Sequence, residues 1–157
     1  MISIIKAFTD DDFNHAKKLF IEYSESLGIS LEFQNFDEEL NNISKMYGMP
    51  DGCLLLARQN EQVVGCVALR KINHNICEMK RLYVQPNWKG KGIGKMLTKA
   101  IIEEDKVRGY RFMRLDTLPS MKQAISLYQT LGFYPIEPYR FNPIEGALYM
   151  ELDILNK

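Results

Sequence analysis

The sequence predicts an α+β fold in which helices flank a mixed, mostly antiparallel central sheet. Three observations carry that expectation. Runs of helical and strand periodicity follow one another as β-α-α-β-β-β-α-β-α-β-β. Three of the strand runs are consecutive between Cys53 and Val84, separated only by short polar turns, as in an antiparallel meander. Helices and strands do not alternate strictly, so a doubly wound parallel sheet is excluded.

Ile2 to Phe8 reads as the first strand. Thr9 followed by Asp10, Asp11 and Asp12 starts a helix: a capping hydroxyl, then acids where the helix dipole favours them. Phe13, Ala16, Phe20, Tyr23 and Leu27 recur at helical spacing, and Gly28 is the stop. A second helix is expected from Phe36 to Met46, and Met49-Pro50-Asp51-Gly52 is a turn by its residue types. Cys53 to Arg58 and Gln62 to Lys71 flank Gln59-Asn60-Glu61 as a hairpin. Ile76 to Val84 is the next strand, ended by Gln85-Pro86-Asn87-Trp88 because proline cannot donate to the ladder. A long helix runs from about Gly92 to Arg108, with Ile93, Met96, Leu97, Ala100, Ile101 and Val107 as its apolar stripe and Gly109 as its end. Phe112 to Thr117 is a strand, Ser120 caps a helix from Met121 to Leu131, and Phe133-Tyr134 and Ala147 to Leu152 complete the sheet.

The 157 residues suit one domain spanning 1–157, with one sizeable core. Lys plus Arg and Asp plus Glu each total 20, and the zero net charge argues against a nucleic-acid partner. Cys53, Cys66 and Cys77 are spread through apolar runs and read as small buried hydrophobes. No secretory pattern, membrane span or metal-ligand spacing stands out, so the expectation is a cytoplasmic protein without metal.

The chemistry concentrates in Lys89-Gly90-Lys91-Gly92-Ile93-Gly94, between a strand and the long helix. A helix start offers unpaired N–H donors and the positive end of a dipole. Glycines let the backbone approach a ligand, and Lys89, Lys91 and Lys95 add positive charge. Together these make a receptor for phosphate or pyrophosphate. A Walker loop is excluded because Gly94-Lys95 is followed by Met96 and no Gly stands at 89. A dinucleotide fingerprint is excluded because Lys95 stands where its third Gly belongs.

With these residues in place, the chain resembles the GNAT superfamily of N-acetyltransferases. That family's signature is Gln or Arg, two residues, Gly, one residue, then Gly or Ala, and the run from Lys89 to Gly94 matches it with Lys in first position. Lys keeps the charge but loses the planar fork of Arg. Met79 to Pro86 is similar to the family's strand before the loop, and Ala124 to Tyr134 to its later helix and turn. The resemblance covers roughly residues 53 to 135, and beyond them element order alone.

The resemblance implies acetyl-CoA as co-substrate. It implies that the backbone of Leu82, Tyr83 and Val84 pairs with the pantetheine arm, and that the Val84 amide faces the thioester carbonyl as an oxyanion donor. The pyrophosphate would lie over Lys89, Gly90, Lys91, Gly92, Ile93 and Gly94, with Lys95 at the rim and Ala124 admitting the coenzyme on its other side. Tyr128 aligns with the family's frequent general acid, a phenol with a pKa of about 10 beside the departing thiolate. It also lies on an apolar stripe with Met121, Ala124, Ile125 and Leu131.

An alkyl ammonium must lose a proton before it attacks, and Glu78 is the candidate base. It lies six residues before Val84, an even offset that keeps both on one strand face unless a bulge intervenes. The competing role for Glu78 is a salt bridge to a neighbouring Lys or Arg. His15 and His74 have no partner in the pattern, and no Ser or Cys has a base beside it. Tyr23, Phe33, Phe36 and Tyr139 to Pro143 are either walls of the acceptor cleft or ordinary packing. The resulting expectation is acetyl-CoA-dependent transfer to a primary amine of a small molecule, by a monomer or homodimer. The alternatives are a non-catalytic acyl-CoA-binding module and a peptide or protein N-acetyltransferase.

Overall fold

The structure, a computed structural model, describes residues 1–28 and 35–156, so Phe33 lies outside the described residues. The elements are β1 (Ile2–Lys6), α1 (Asp10–Leu27), α2 (Phe36–Asn41), α3 (Ile43–Met46), β2 (Cys53–Gln59), β3 (Gln62–Lys71) and β4 (Ile76–Val84). A 3₁₀ turn (Pro86–Trp88) follows, then α4 (Ile93–Arg108), β5 (Phe112–Thr117), α5 (Lys122–Thr130), β6 (Tyr134–Ile136) and β7 (Leu148–Asp153). The seven strands form one sheet in the order β1-β2-β3-β4-β5-β7-β6. Among the described strands only the β4–β5 pair is parallel; the others are antiparallel, in keeping with a mixed, mostly antiparallel sheet.

Both faces of the sheet are covered. On one face Leu97, Ile101 and Ile102 of α4 and Tyr128 of α5 pack on Leu55, Val67, Met79, Met113 and Met150. On the other, Ala16, Leu19 and Phe20 of α1 and Ile43 of α3 pack on Leu54, Leu56, Cys66 and Ala68. Burying a large apolar side chain contributes about 2 kcal/mol, so these two layers hold the elements that carry the site.

The ends follow local rules. The Thr9 hydroxyl accepts from the Asp12 amide at 3.1 Å, and the Asp12 carboxylate accepts from the Phe8 and Thr9 amides at 3.0 and 3.1 Å. Gly28 and Gly109 end α1 and α4 in the left-handed conformation. Three expectations change. The helix expected from Phe36 to Met46 is split at Asn42, whose side chain donates to the Glu38 carbonyl at 3.0 Å and competes with the helix ladder. Ser120 does not cap α5; Met121 occupies that position without a side-chain hydrogen bond. On α4, Met96 and Val107 are exposed, while Thr98 and Asp105 are buried with hydrogen-bond partners, Gly94 O one turn back at 2.7 Å and Cys77 Sγ of β4 at 3.3 Å.

Candidate active site

The site begins where two parallel strands part. β4 and β5 pair only through Ile76–Phe112, Cys77–Met113 and Glu78–Arg114. Beyond that point the remaining residues of β4 have lost β5 as a neighbour, and their backbone edge is open. A small cavity of about 40 Å³ sits in the gap, walled by Met79 to Leu82 on one side and Leu115 to Leu118 on the other. A larger cleft of about 510 Å³ continues from it, between the end of β4, the start of α4 and the start of α5. The two share Tyr23, Leu27, Leu82 and Met121 as walls.

The larger cleft centres on the end of β4 and the glycine turn before α4. Leu82, Tyr83, Val84, Lys89, Gly90, Gly92, Ile93, Gly94 and Ala124 line it. Gly90 and Gly92 both hold φ near +80°, and a Cβ at either would meet nothing within 4 Å. The requirement for glycine there is therefore conformational rather than steric. α4 starts with no side-chain cap and no acid in its first turn, so its first amide donors are claimed by no side chain. Lys89 and Lys122 flank them on the lining, whereas Lys91 and Lys95 are exposed and outside it. Open backbone donors, a dipole end and two cations are a donor set that fits a diphosphate. Ser120, freed from capping, also lines this cleft.

The small cavity is built from side chains. Tyr128, Tyr23, Asp116, Thr117, Lys80 and Asn142 line it. Tyr128 is 5% exposed and its ring stands 5.6 Å from that of Phe133. Among the described residues no side-chain hydrogen bond claims its hydroxyl. Burial first, then the neighbouring Tyr23 and Asp116, push its pKa above the ordinary phenol value, so the group stays protonated. Burial, followed by the Arg81 charge, lowers Lys80 to about 8. Asn142 Nδ2 donates to the Asp116 carboxylate at 3.3 Å.

A bulge in β4 decides which side chains reach this region. Cys66 pairs with Tyr83 but Ala68 pairs with Lys80, so β4 carries one residue more than β3. Arg81 takes the extra place with φ at 59°, a left-handed conformation costing about 1–2 kcal/mol for a residue with a side chain. Glu39 offsets that cost: its carboxylate accepts from Arg81 Nε at 3.0 Å and Nη2 at 2.7 Å, and from the Tyr47 hydroxyl at 2.9 Å. The bulge corrects the expectation that Glu78 and Val84 share a face. Val84 packs toward the α4 side with Leu82, while Glu78 points to the opposite side.

There Glu78 is 0% exposed and lines neither cavity. Its carboxylate accepts from Arg70 Nε at 2.8 Å, Arg140 Nη2 at 2.6 Å and the Tyr139 hydroxyl at 2.7 Å. Burial works to raise its pKa, but the charges of Lys80, Arg140 and Arg70 outweigh burial and hold it below the usual carboxylate range. Tyr139 and Arg140 are turned to Glu78 rather than into the cavity, Phe141 is 74% exposed, and Phe36 stacks on Arg81 at 5.4 Å.

Asp116 is the residue that sequence reasoning passed over. Its signal was available: Arg114 and Asp116 alternate with Met113, Leu115 and Thr117 in a strand the fold covers on both faces. A carboxylate at such a position needs a partner or a ligand.

Other proteins are similar to this chain in sequence or in fold. Residues 13–133 match the acetyltransferase (GNAT) family. The chain is 41% identical over 155 residues to an uncharacterized N-acetyltransferase of Schizosaccharomyces pombe, covering 98% of this chain and 95% of that one. Among solved structures it is similar to a GNAT-family acetyltransferase of Staphylococcus aureus, with a TM-score of 0.81, 20% identity and 98% and 99% of the two chains covered. It is also similar to the PaiA N-acetyltransferase of Thermoplasma acidophilum in complex with coenzyme A, with a TM-score of 0.73, 22% identity and 98% and 99% covered. The chain belongs to the GNAT family of acetyltransferases and is an N-acetyltransferase.

Proposed function

We propose that the protein transfers the acetyl group of acetyl-CoA directly to the primary amine of a small molecule. The observation that carries this reading is the shared wall of the two cavities at Leu82. A cleft whose glycine turn and helix start fit a diphosphate opens beside a cavity lined by two phenols, Tyr23 and Tyr128, and the acid Asp116. The cavity's volume of about 40 Å³ suits an amine head group rather than a bulky chain.

In this reading the diphosphate lies on the first turn of α4 and the pantetheine follows the open edge of β4 from Val84 to Leu82. The thioester then stands at the boundary between the cavities, with the Val84 amide as its oxyanion donor. The acceptor ammonium docks against Asp116 and gives up a proton to it, directly or through water. The amine nitrogen bonds to the thioester carbon, the C–S bond breaks, the Tyr128 hydroxyl supplies a proton to the departing sulfur, and the second proton lost by the nitrogen returns to the Tyr128 oxygen, directly or through water. Asp116 takes the part first expected of Glu78, because it lines the cavity and Glu78 does not.

The test is release of free thiol from acetyl-CoA in the presence of n-butylamine, L-alanine and the dipeptide Ala-Ala. Turnover with butylamine or alanine supports a small-molecule acceptor. Turnover with the dipeptide alone moves the reading to a peptide N-terminus, and binding of acetyl-CoA without turnover moves it to a non-catalytic module.

A further inference from the structure

Residues 137–147, between β6 and β7, leave the sheet and fold back over the face that carries Asp116. The contacts that fasten this segment converge on Glu78. Tyr139 and Arg140 donate to its two oxygens at 2.7 and 2.6 Å, and Arg70 of β3 donates to the same carboxylate at 2.8 Å. The Tyr139 ring is held between two guanidinium groups, Arg114 at 5.3 Å and Arg140 at 5.5 Å. The Arg140 carbonyl accepts from the Tyr149 hydroxyl at 2.9 Å. Two residues further on, Asn142 enters the wall of the small cavity and bonds Asp116.

We propose that Glu78 is a positioning residue: its buried carboxylate clasps the 137–147 segment and thereby places Asn142 beside Asp116 for the acceptor. This rests on the reading of the Asp116 cavity as the acceptor side. The geometry separates the role from that of a base. A base must reach the proton it takes, directly or through one water, and both Glu78 oxygens are already committed to donors inside the protein. A carboxylate so enclosed binds its cationic partners firmly, because an unpaired charge there would be costly. The segment it holds has no helix and no strand of its own, so its seating depends on such anchors. The acceptor affinity is thus set by an ion cluster that never touches the acceptor.

The experiment compares Tyr139→Phe and Arg140→Gln with the parent protein, and adds Glu78→Gln where that variant folds. Hydrogen exchange of residues 137–147 is measured with acetyl-CoA bound, alongside steady-state kinetics with whichever of n-butylamine, L-alanine or Ala-Ala reacts fastest. Exchange in the segment should accelerate about fivefold or more, and KM for the amine should rise by a similar factor. At the same time kcat and KM for acetyl-CoA should stay within about twofold, and the acidic limb of the pH profile should not move. Arg140→Lys should restore part of the affinity. Unchanged exchange in both loop variants overturns the proposal, and it does so even if none of the three amines reacts, an outcome that counts against the acceptor reading instead. A loss of about a hundredfold in kcat for Glu78→Gln, with the acidic limb abolished and Tyr139→Phe silent, also overturns it and makes Glu78 the base.

Discussion

The larger cleft and the small cavity adjoin, yet they are made by different means. The cleft centres on main-chain features within residues 82–94, a parted strand edge, two left-handed glycines and the uncapped start of a helix, with residues of α1 and α5 completing its walls. The cavity uses side chains brought from α1, β4, β5, α5 and the 137–147 segment. Main-chain donors are the same whatever the residue, so only the conformation has to be encoded. Side-chain recognition needs each partner held by others, which is why the cavity is surrounded by the Glu39–Arg81, Arg70–Glu78–Arg140 and Arg114–Glu151 pairs. The first arrangement suits a ligand common to a whole family, and the second can be rewritten for each acceptor without disturbing the first.

That division can be broken by substitution. The largest effect is expected at the boundary. Tyr128→Phe should lower kcat about a hundredfold while the acetyl-CoA dissociation constant, measured by calorimetry, stays within about twofold. An equal loss in both would mean that Tyr128 belongs to the cleft as much as to the cavity. Asp116→Asn comes next, with kcat/KM for the amine falling about thirtyfold, as expected for losing a charge-assisted contact to an ammonium. If coenzyme affinity fell with it, the two regions would not be separable. Gly92→Ala should act in the opposite sense. It forces a Cβ into a left-handed position at about 1–2 kcal/mol, so acetyl-CoA binding weakens about tenfold while kcat at saturating coenzyme holds.

The smallest effect on catalysis lies outside the lining of both regions, at Asp105 near the end of α4. Burial raises its pKa to about 6, and its Oδ1 has no partner among the described residues. A carboxyl raised in the folded state contributes stability at low pH and loses it as pH rises toward the folded value. The loss therefore accumulates between the ordinary value of 3.8 and about 6, and is complete above that. Asp105→Asn should stabilise the protein by about 3 kcal/mol at pH 7.5, converge with the parent near pH 4, and leave both Michaelis constants alone. Chemical unfolding at the two pH values checks the sign.

Much of this was written locally. The Thr9–Asp12 cap, the ends at Gly28 and Gly109, the meander from Cys53 to Val84 and the strand from Phe112 to Thr117 each depend on residues a few positions apart. So does the glycine turn, because a left-handed backbone next to a helix start is specified within six residues. What could not be read depended on partners far away. The face that Glu78 occupies turns on one extra residue at Arg81, and Arg81 tolerates its backbone because Glu39, 42 positions earlier, pairs with it. Ser120 has the residue type of a cap, but it lines the cleft and Met121 takes the capping position.

By itself, then, the sequence determined the element order apart from the split second helix, the mixed, mostly antiparallel sheet, the family, and the glycine turn before the long helix, since periodicity, capping and turn chemistry act over short stretches of chain. Only the tertiary structure decided that Glu78 is enclosed by Arg70, Tyr139 and Arg140 while Asp116 faces the cavity beside Tyr128. Both are carboxylates on neighbouring strands of one sheet. Which one is sealed and which one is open depends on a bulge, a parted strand pair and a returning segment, none of which has a signal within the few residues around either acid.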